Sequence, residues 1–155
     1  MKKYYKKSNI IGKQKIFDVK LFQKYDEPAR KRIKEILKDF ISDNPDKLKQ
    51  DLIIHSEKSK YKYLELQVCA NWIYEEFPHP YPYIFARKAA YEPDTLFLLL
   101  NKIMNKGYLF DIKVVVNDQG CRLKKFSRQF IFQIPWNRAM LVHTDKLDKE
   151  TIELF

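Results

Sequence analysis

Glycine is almost absent: three residues in 155 leave little from which to build a phosphate-cradling loop, and no G-x-x-x-x-G-K pattern occurs. Cysteine is equally scarce. Cys69 and Cys121 form no C-x-x-C pair and the chain has only three histidines, so neither a disulfide framework nor a structural zinc site is indicated. Both cysteines read as reduced thiols of an intracellular protein, cytoplasmic or nuclear. His55, His79 and His143 fall on different expected elements and lack the spacing of metal ligands or of a nucleophile–base pair. Long apolar runs are missing too. The longest, Leu96 to Leu100, is far short of the ~20 residues that a membrane-spanning helix needs. The basic start Met1 to Lys7 is followed by Gly12, Lys13, Gln14 and Lys15, which break the apolar segment of a signal peptide. No membrane partner is therefore expected. Negative charge is in deficit, with 20 Asp+Glu against 30 Lys+Arg, a net charge of +10. That balance points to polyanionic partners, nucleic acid first.

What is present suits one compact α/β domain, a mixed β-sheet flanked by helices, behind a basic N-terminal arm. Length and an apolar content of 45% support a single core. Residues 1–14 are assigned to the arm and 15–155 to the domain. The β-formers from Lys15 to Phe22 suggest a first strand. A helix then runs from Glu27 to Ile41, with Asp26 as its cap, Pro28 in its first turn and Ile33, Ile36, Leu37, Phe40 and Ile41 on one stripe. Leu52 to His55 and Tyr61 to Ala70 read as strands of a hairpin joined by Ser56 to Lys60. Asn71 to Tyr83, rich in proline and aromatic residues, reads as an ordered loop packed by its own rings. Exposed rings there would stack on unpaired bases.

Strand signals at Ile84 to Ala90, Thr95 to Ile103, Tyr108 to Val116 and Phe126 to Ile134 suggest a meander. Thr95 to Ile103 also satisfies a helical stripe; strand is preferred. A short strand at Ala139 to His143 and a helical turn or two from Asp148 complete the chain.

Chemistry concentrates in Tyr63 to Ala70. Alternation puts Leu64, Leu66, Val68 and Ala70 on one face and Glu65, Gln67 and Cys69 on the other. If the preceding turn holds an odd number of residues, His55 pairs with Tyr61 and Asp51 with Glu65; an even number sends Asp51 to the opposite face. Two carboxylates directly across a sheet repel unless a cation lies between them, and a hard divalent ion is the natural remedy. Magnesium or manganese held by Asp51 and Glu65 would serve phosphodiester hydrolysis, with Gln67 orienting water or ligating. Cys69 reads better as a small buried thiol than as a nucleophile.

These residues resemble the PD-(D/E)XK nuclease superfamily, in which an Asp is followed, across a turn, by a strand carrying acid-x-Lys. Asp51, Glu65 and Gln67 occupy the three places. The resemblance implies metal ligation by Asp51 and Glu65 and a nuclease fold. Gln67 departs from the usual Lys, and where that Lys has migrated to a neighbouring element, Lys88 is the candidate. Gln50 stands where the motif has Pro. Overall the chain resembles nucleases of large DNA viruses.

The catalytic set is thus Asp51, Glu65, Gln67 and Lys88. Arg87 and Lys88, if strand-borne, must point to opposite faces, so only one of them reaches the site. Lys6, Lys7, Lys13, Arg87, Arg122, Lys124, Lys125 and Arg128 are candidates for contacts with nucleic acid, with sequence-independent, salt-sensitive affinity. The expected function is a magnesium-dependent nuclease acting on DNA. The alternative is a non-catalytic basic protein that binds or packages nucleic acid.

Overall fold

The computed structural model describes residue 20 and residues 22–46, 49–117, 121–122 and 130–155. The basic arm lies outside these residues, as does most of the strand expected at 15–22. Where that stretch is described it is helical: Phe22–Asp26 form a π-helical turn that runs directly into helix α1, Glu27–Leu37. Asp26 is consequently not a cap. Its backbone is already right-handed helical (φ −68°, ψ −46°) and its side chain makes no capping bond. Helix α1 buries Ala29, Ile33 and Leu37, the i, i+4, i+8 positions of its apolar stripe.

The helix stops four residues before the expected Ile41. Lys38 adopts a positive φ of 50°, a 3-10 turn covers Lys38–Phe40, and Ile41 opens a strand. Ile41 keeps its place in the core by pairing with Ile54 instead of by continuing the helical stripe.

Among the described residues nine strands follow one another: β1 Ile41–Asp43, β2 Leu52–Ile54, β3 Tyr63–Val68, β4 Tyr83–Phe85, β5 Thr95–Leu100, β6 Lys106–Phe110, β7 Cys121–Arg122, β8 Phe130–Gln133 and β9 Met140–His143. Six of them form a sheet in the order β1-β2-β3-β5-β6-β9, and the others form a second sheet, β4-β8-β7. Among the described residues only the β3–β5 pairing is parallel. The chain is therefore a mixed α/β fold dominated by antiparallel pairs. The expected meander is corrected on two counts. β3 reaches β5 by a crossover, and β4 and β8 leave the main sheet for the second one.

Helix α1 and the short helix α2, Lys149–Leu154, cover one face of the main sheet, against Leu64, Leu66, Leu96, Leu98 and Leu100. The other face, with Phe97, Leu99 and Phe110, packs on Ile84, Ile131 and Phe132 of the second sheet. Thr95–Leu100 is a strand, buried at all six positions. A strand covered on both faces reads as a continuous apolar run, which is why the same residues also satisfied a helical stripe. Asp148 caps α2, its carboxylate accepting from the Thr151 N–H at 2.9 Å. Among the described residues no helix is long and apolar enough to cross a membrane.

Candidate active site

The hairpin register sets the geometry. Leu52 pairs with Leu64 and Ile53 with Tyr63, so one further step along the antiparallel ladder brings Asp51 opposite Glu65. The two residues interlock. The Asp51 N–H donates to Glu65 Oε1 at 3.0 Å, and Asp51 Oδ2 accepts from the Leu66 N–H at 2.9 Å. From helix α1, Arg30 Nη2 donates to Asp51 Oδ1 at 3.0 Å.

The segment expected to be a strand at Ile84 to Ala90 is extended only through Phe85; Ala86–Tyr91 form a 3-10 helix lying in the β3–β5 crossover. That corrects the argument that only one of Arg87 and Lys88 can approach the site. On a 3-10 helix neighbouring side chains are about a third of a turn apart rather than on opposite faces. Lys88 Nζ lies 3.0 Å from Glu65 Oε2 and donates to the Leu66 carbonyl at 3.2 Å. Arg87 lies over the Phe85 ring, 4.9 Å from its centroid, and acts electrostatically on Glu65 and Asp26.

Gln67 is buried beside this group. Its Oε1 accepts from the Phe85 N–H at 3.3 Å, while Nε2 has no hydrogen-bond partner among the described residues, and neither has the buried Arg87 Nη1. Neither donor has a protein acceptor among the described residues.

Burial governs the protonation of the site. Glu65 is 6% exposed, and burial pushes its carboxyl up to about 7, against Lys88, which lowers it, with Asp51 adding a further rise. Burial also holds the Arg87 guanidinium below its usual value, and Glu65 opposes that effect. Tyr91 is pushed up to about 12, by burial first and then by Glu65 and Asp51. Asp26 stands at the solvent side of the cluster, exposed, its carboxyl raised by the surrounding protein and by Asp51 against the pull of Lys88.

Sequence reasoning placed none of Asp26, read there as a helix cap, Arg30 and Tyr91 in this cluster. The signal available for the first two was their i, i+4 spacing, which puts both on the same side of the helical segment that enters α1.

The remaining candidates separate from this cluster. Cys69 is buried and accepts from the Tyr83 hydroxyl at 3.6 Å; burial pushes its thiol up, away from thiolate chemistry. His55 shares the face of Asp51 but lies four residues along the chain, ~13 Å away at strand rise, where Nε2 is 2.6 Å from Ser42 Oγ. Lys6, Lys7, Lys13, Lys124, Lys125 and Arg128 fall outside the described residues, and of Arg122 only the backbone, in β7, is described.

Among the described residues no three Asp, Glu, His or Cys side chains converge closely enough to hold a metal ion by themselves. The oxygens that do converge are the carboxylates of Asp51 and Glu65 and the carbonyl of Leu66, all within reach of Lys88 or Arg30. Comparisons of the chain with family models, curated proteins and solved structures find no match.

Proposed function

We propose that the chain is a magnesium- or manganese-dependent nuclease that hydrolyses DNA phosphodiester bonds, with a PD-(D/E)XK-like core formed by β2, β3 and the crossover after them. One observation carries the reading. Asp51 and Glu65 meet across the β2–β3 hairpin while Lys88, brought in by the following segment, binds both Glu65 and the main-chain carbonyl next to it.

The donor set suits a hard cation. Magnesium takes one or two carboxylates, tolerates a main-chain oxygen and leaves its other positions to water and phosphate. Asp51 and Glu65 would hold it, and once bound it would supply Lewis-acid stabilisation of charge on the phosphoryl oxygens. Each carboxylate oxygen has one protein donor and keeps lone-pair capacity for a second partner.

The chain's own residues provide the rest. Arg30 and the Leu66 N–H fix the orientation of Asp51. Lys88 is the cation placed to meet phosphate charge, and the unpartnered Gln67 Nε2 is placed to donate to a water or to a phosphate oxygen. The net charge of +10 gives affinity for the polyanion without regard to base sequence.

A second reading has its own support. Both carboxylates already have protein cations, Arg30 on Asp51 and Lys88 on Glu65, each at 3.0 Å. A basic protein that binds or packages nucleic acid without cutting it would keep these pairs as structure.

Incubating plasmid and single-stranded DNA with magnesium or manganese separates the two. The wild type should cut, whereas Glu65→Ala and the isosteric Glu65→Gln should not. If wild type and variants are equally inert while DNA is still retained, the binding protein is the correct reading.

A further inference from the structure

The proline-rich loop between β3 and β4 does more than fill a core. Trp72 is buried and stacks on Tyr108 at 5.1 Å between centroids, and Phe77 meets Trp72 edge-on at the same distance. Trp136 closes this nest from the other side of the chain. Its ring lies 5.3 Å from Tyr108 and 5.9 Å from Phe77, and its indole Nε1 donates to the Pro80 carbonyl at 2.8 Å. Although held at three points, Trp136 remains 43% exposed, and the neighbouring Leu141, opposite Tyr108 on β9, is 49% exposed. A large ring that is fixed before binding and still open to solvent loses little entropy when a ligand covers it.

The position of this ring relative to the candidate active site follows from the register. Gln67 pairs with Leu99, Leu99 with Tyr108 and Tyr108 with Leu141, so all four stand in one row on the same face of the main sheet. Two strand spacings separate Gln67 from Tyr108, ~10 Å, and Trp136 adds one ring contact. The ring and Gln67 thus belong to the same face of the main sheet, with the buried Leu99 between them.

Local charge is compatible with a polyanion. Lys102, exposed, donates its N–H to the Trp72 carbonyl at 3.0 Å, and the Arg138 side chain, two residues after Trp136, is 41% exposed with Asp111 no nearer than 3.8 Å. Of the two acids in the loop, Glu75 is paired with Lys106 at 3.3 Å and Glu76 is exposed to solvent.

We propose that Trp136 is a stacking platform for an unpaired base, so that the ligand is single-stranded DNA or a frayed end rather than a closed duplex. The proposal takes its ligand class from the nuclease reading. Stacking on an aromatic side chain is tolerant of base identity and needs a base free of its partner.

The test is binding in EDTA, where cleavage plays no part. A fluorescein-labelled oligothymidylate and a blunt duplex of the same length are titrated against wild type, Trp136→Leu and Trp136→Phe. Trp136→Leu should weaken oligothymidylate binding about 5- to 150-fold, Trp136→Phe should retain most of it, and duplex affinity should not change. With Trp72 buried, quenching of wild-type tryptophan fluorescence by the oligothymidylate reports on Trp136 and does not require a variant to fold.

Equal losses for duplex and single strand, or no loss and no quenching, overturn the proposal. So does a change in sedimentation of Trp136→Leu without a change in binding, which would make the ring a self-association contact. A protein that binds oligothymidylate through Trp136 but never cuts DNA with magnesium keeps the platform and loses the nuclease reading.

Discussion

Replacing Glu65 with Gln should abolish a pH-dependent loss of stability that the wild type carries. In the unfolded chain Glu65 titrates near 4.5; in the fold it is pushed up to about 7, chiefly by burial, with Lys88 opposing and Asp51 adding. A carboxyl whose folded pKa is raised binds its proton more tightly when folded. Its contribution to stability is complete below pH 4.5 and is lost as pH rises through about 7. At about 1.36 kcal/mol per pH unit, the loss between pH 4.5 and pH 8 is about 3 kcal/mol. For a chain of this length that corresponds to roughly 6–12 °C in Tm. Glu65→Gln has no proton to lose, and groups such as Asp26 titrate in both proteins and cancel in the difference. Thermal unfolding followed by circular dichroism at pH 5 and pH 8 should show the wild type losing ground to the variant by that amount. Millimolar magnesium at pH 8 should recover part of the loss in the wild type alone. Parallel pH profiles for the two proteins would place Glu65 at an ordinary carboxylate value and refute the reasoning.

Two other substitutions test the surroundings. Lys88→Met leaves Glu65 buried without its cation and should cost about 3–5 kcal/mol in urea unfolding at pH 8, with a much smaller cost at pH 5, where Glu65 is protonated. A cost independent of pH would mean that Lys88 acts through packing. Gly107→Ala should destabilise by about 1–3 kcal/mol. Its Cβ would stand 2.7 Å from the Leu99 carbonyl oxygen, a main-chain atom fixed by the β5–β6 ladder, and 3.0 Å from Leu98 Cδ1; an unchanged unfolding midpoint would contradict this.

The part of the site on the hairpin was legible because two strong local signals agreed. Alternation in Tyr63 to Ala70 put Glu65 and Gln67 on one face, and the five polar residues from Ser56 to Lys60 suited an odd turn; the parity itself stayed open until the ladder paired Leu52 with Leu64. Helix α1 was legible from the spacing of Ile33 and Leu37. The segment that carries Lys88 was misread because Ile84 and Phe85 are strand formers and no Gly or Pro marks the point after Phe85 where the strand gives way. Its own signal was quieter: Ala86 and Ala89, three apart and both buried, are one 3-10 turn. The division into two sheets was not legible at all. Strands of both sheets have the same aromatic and branched composition, and which one pairs with which depends on contacts far apart in sequence, such as β4 with β8. That Arg30 and Asp26 belong to the cluster was not legible for a related reason, since a helix surface rich in charge does not announce which of its members turns toward a sheet.

As structure alone, the cluster would be a costly arrangement. A buried ion pair such as Glu65 with Lys88 adds little to stability, and apolar residues of similar size in its place are often neutral or better by about 1–4 kcal/mol. The same strand shows the cheaper solution on its other face, where Leu64 and Leu66 are buried against helix α1. To the ion pair the fold adds two buried donors, Gln67 Nε2 and Arg87 Nη1, without partners among the described residues. Two carboxylates, each paired with a protein cation, and a buried Gln67 amide form an expensive way to hold β2, β3 and the crossover together. The expense is understandable if acceptor oxygens arrive from outside. Phosphate brings several, and it brings the negative charge that Lys88 and Arg87 would meet.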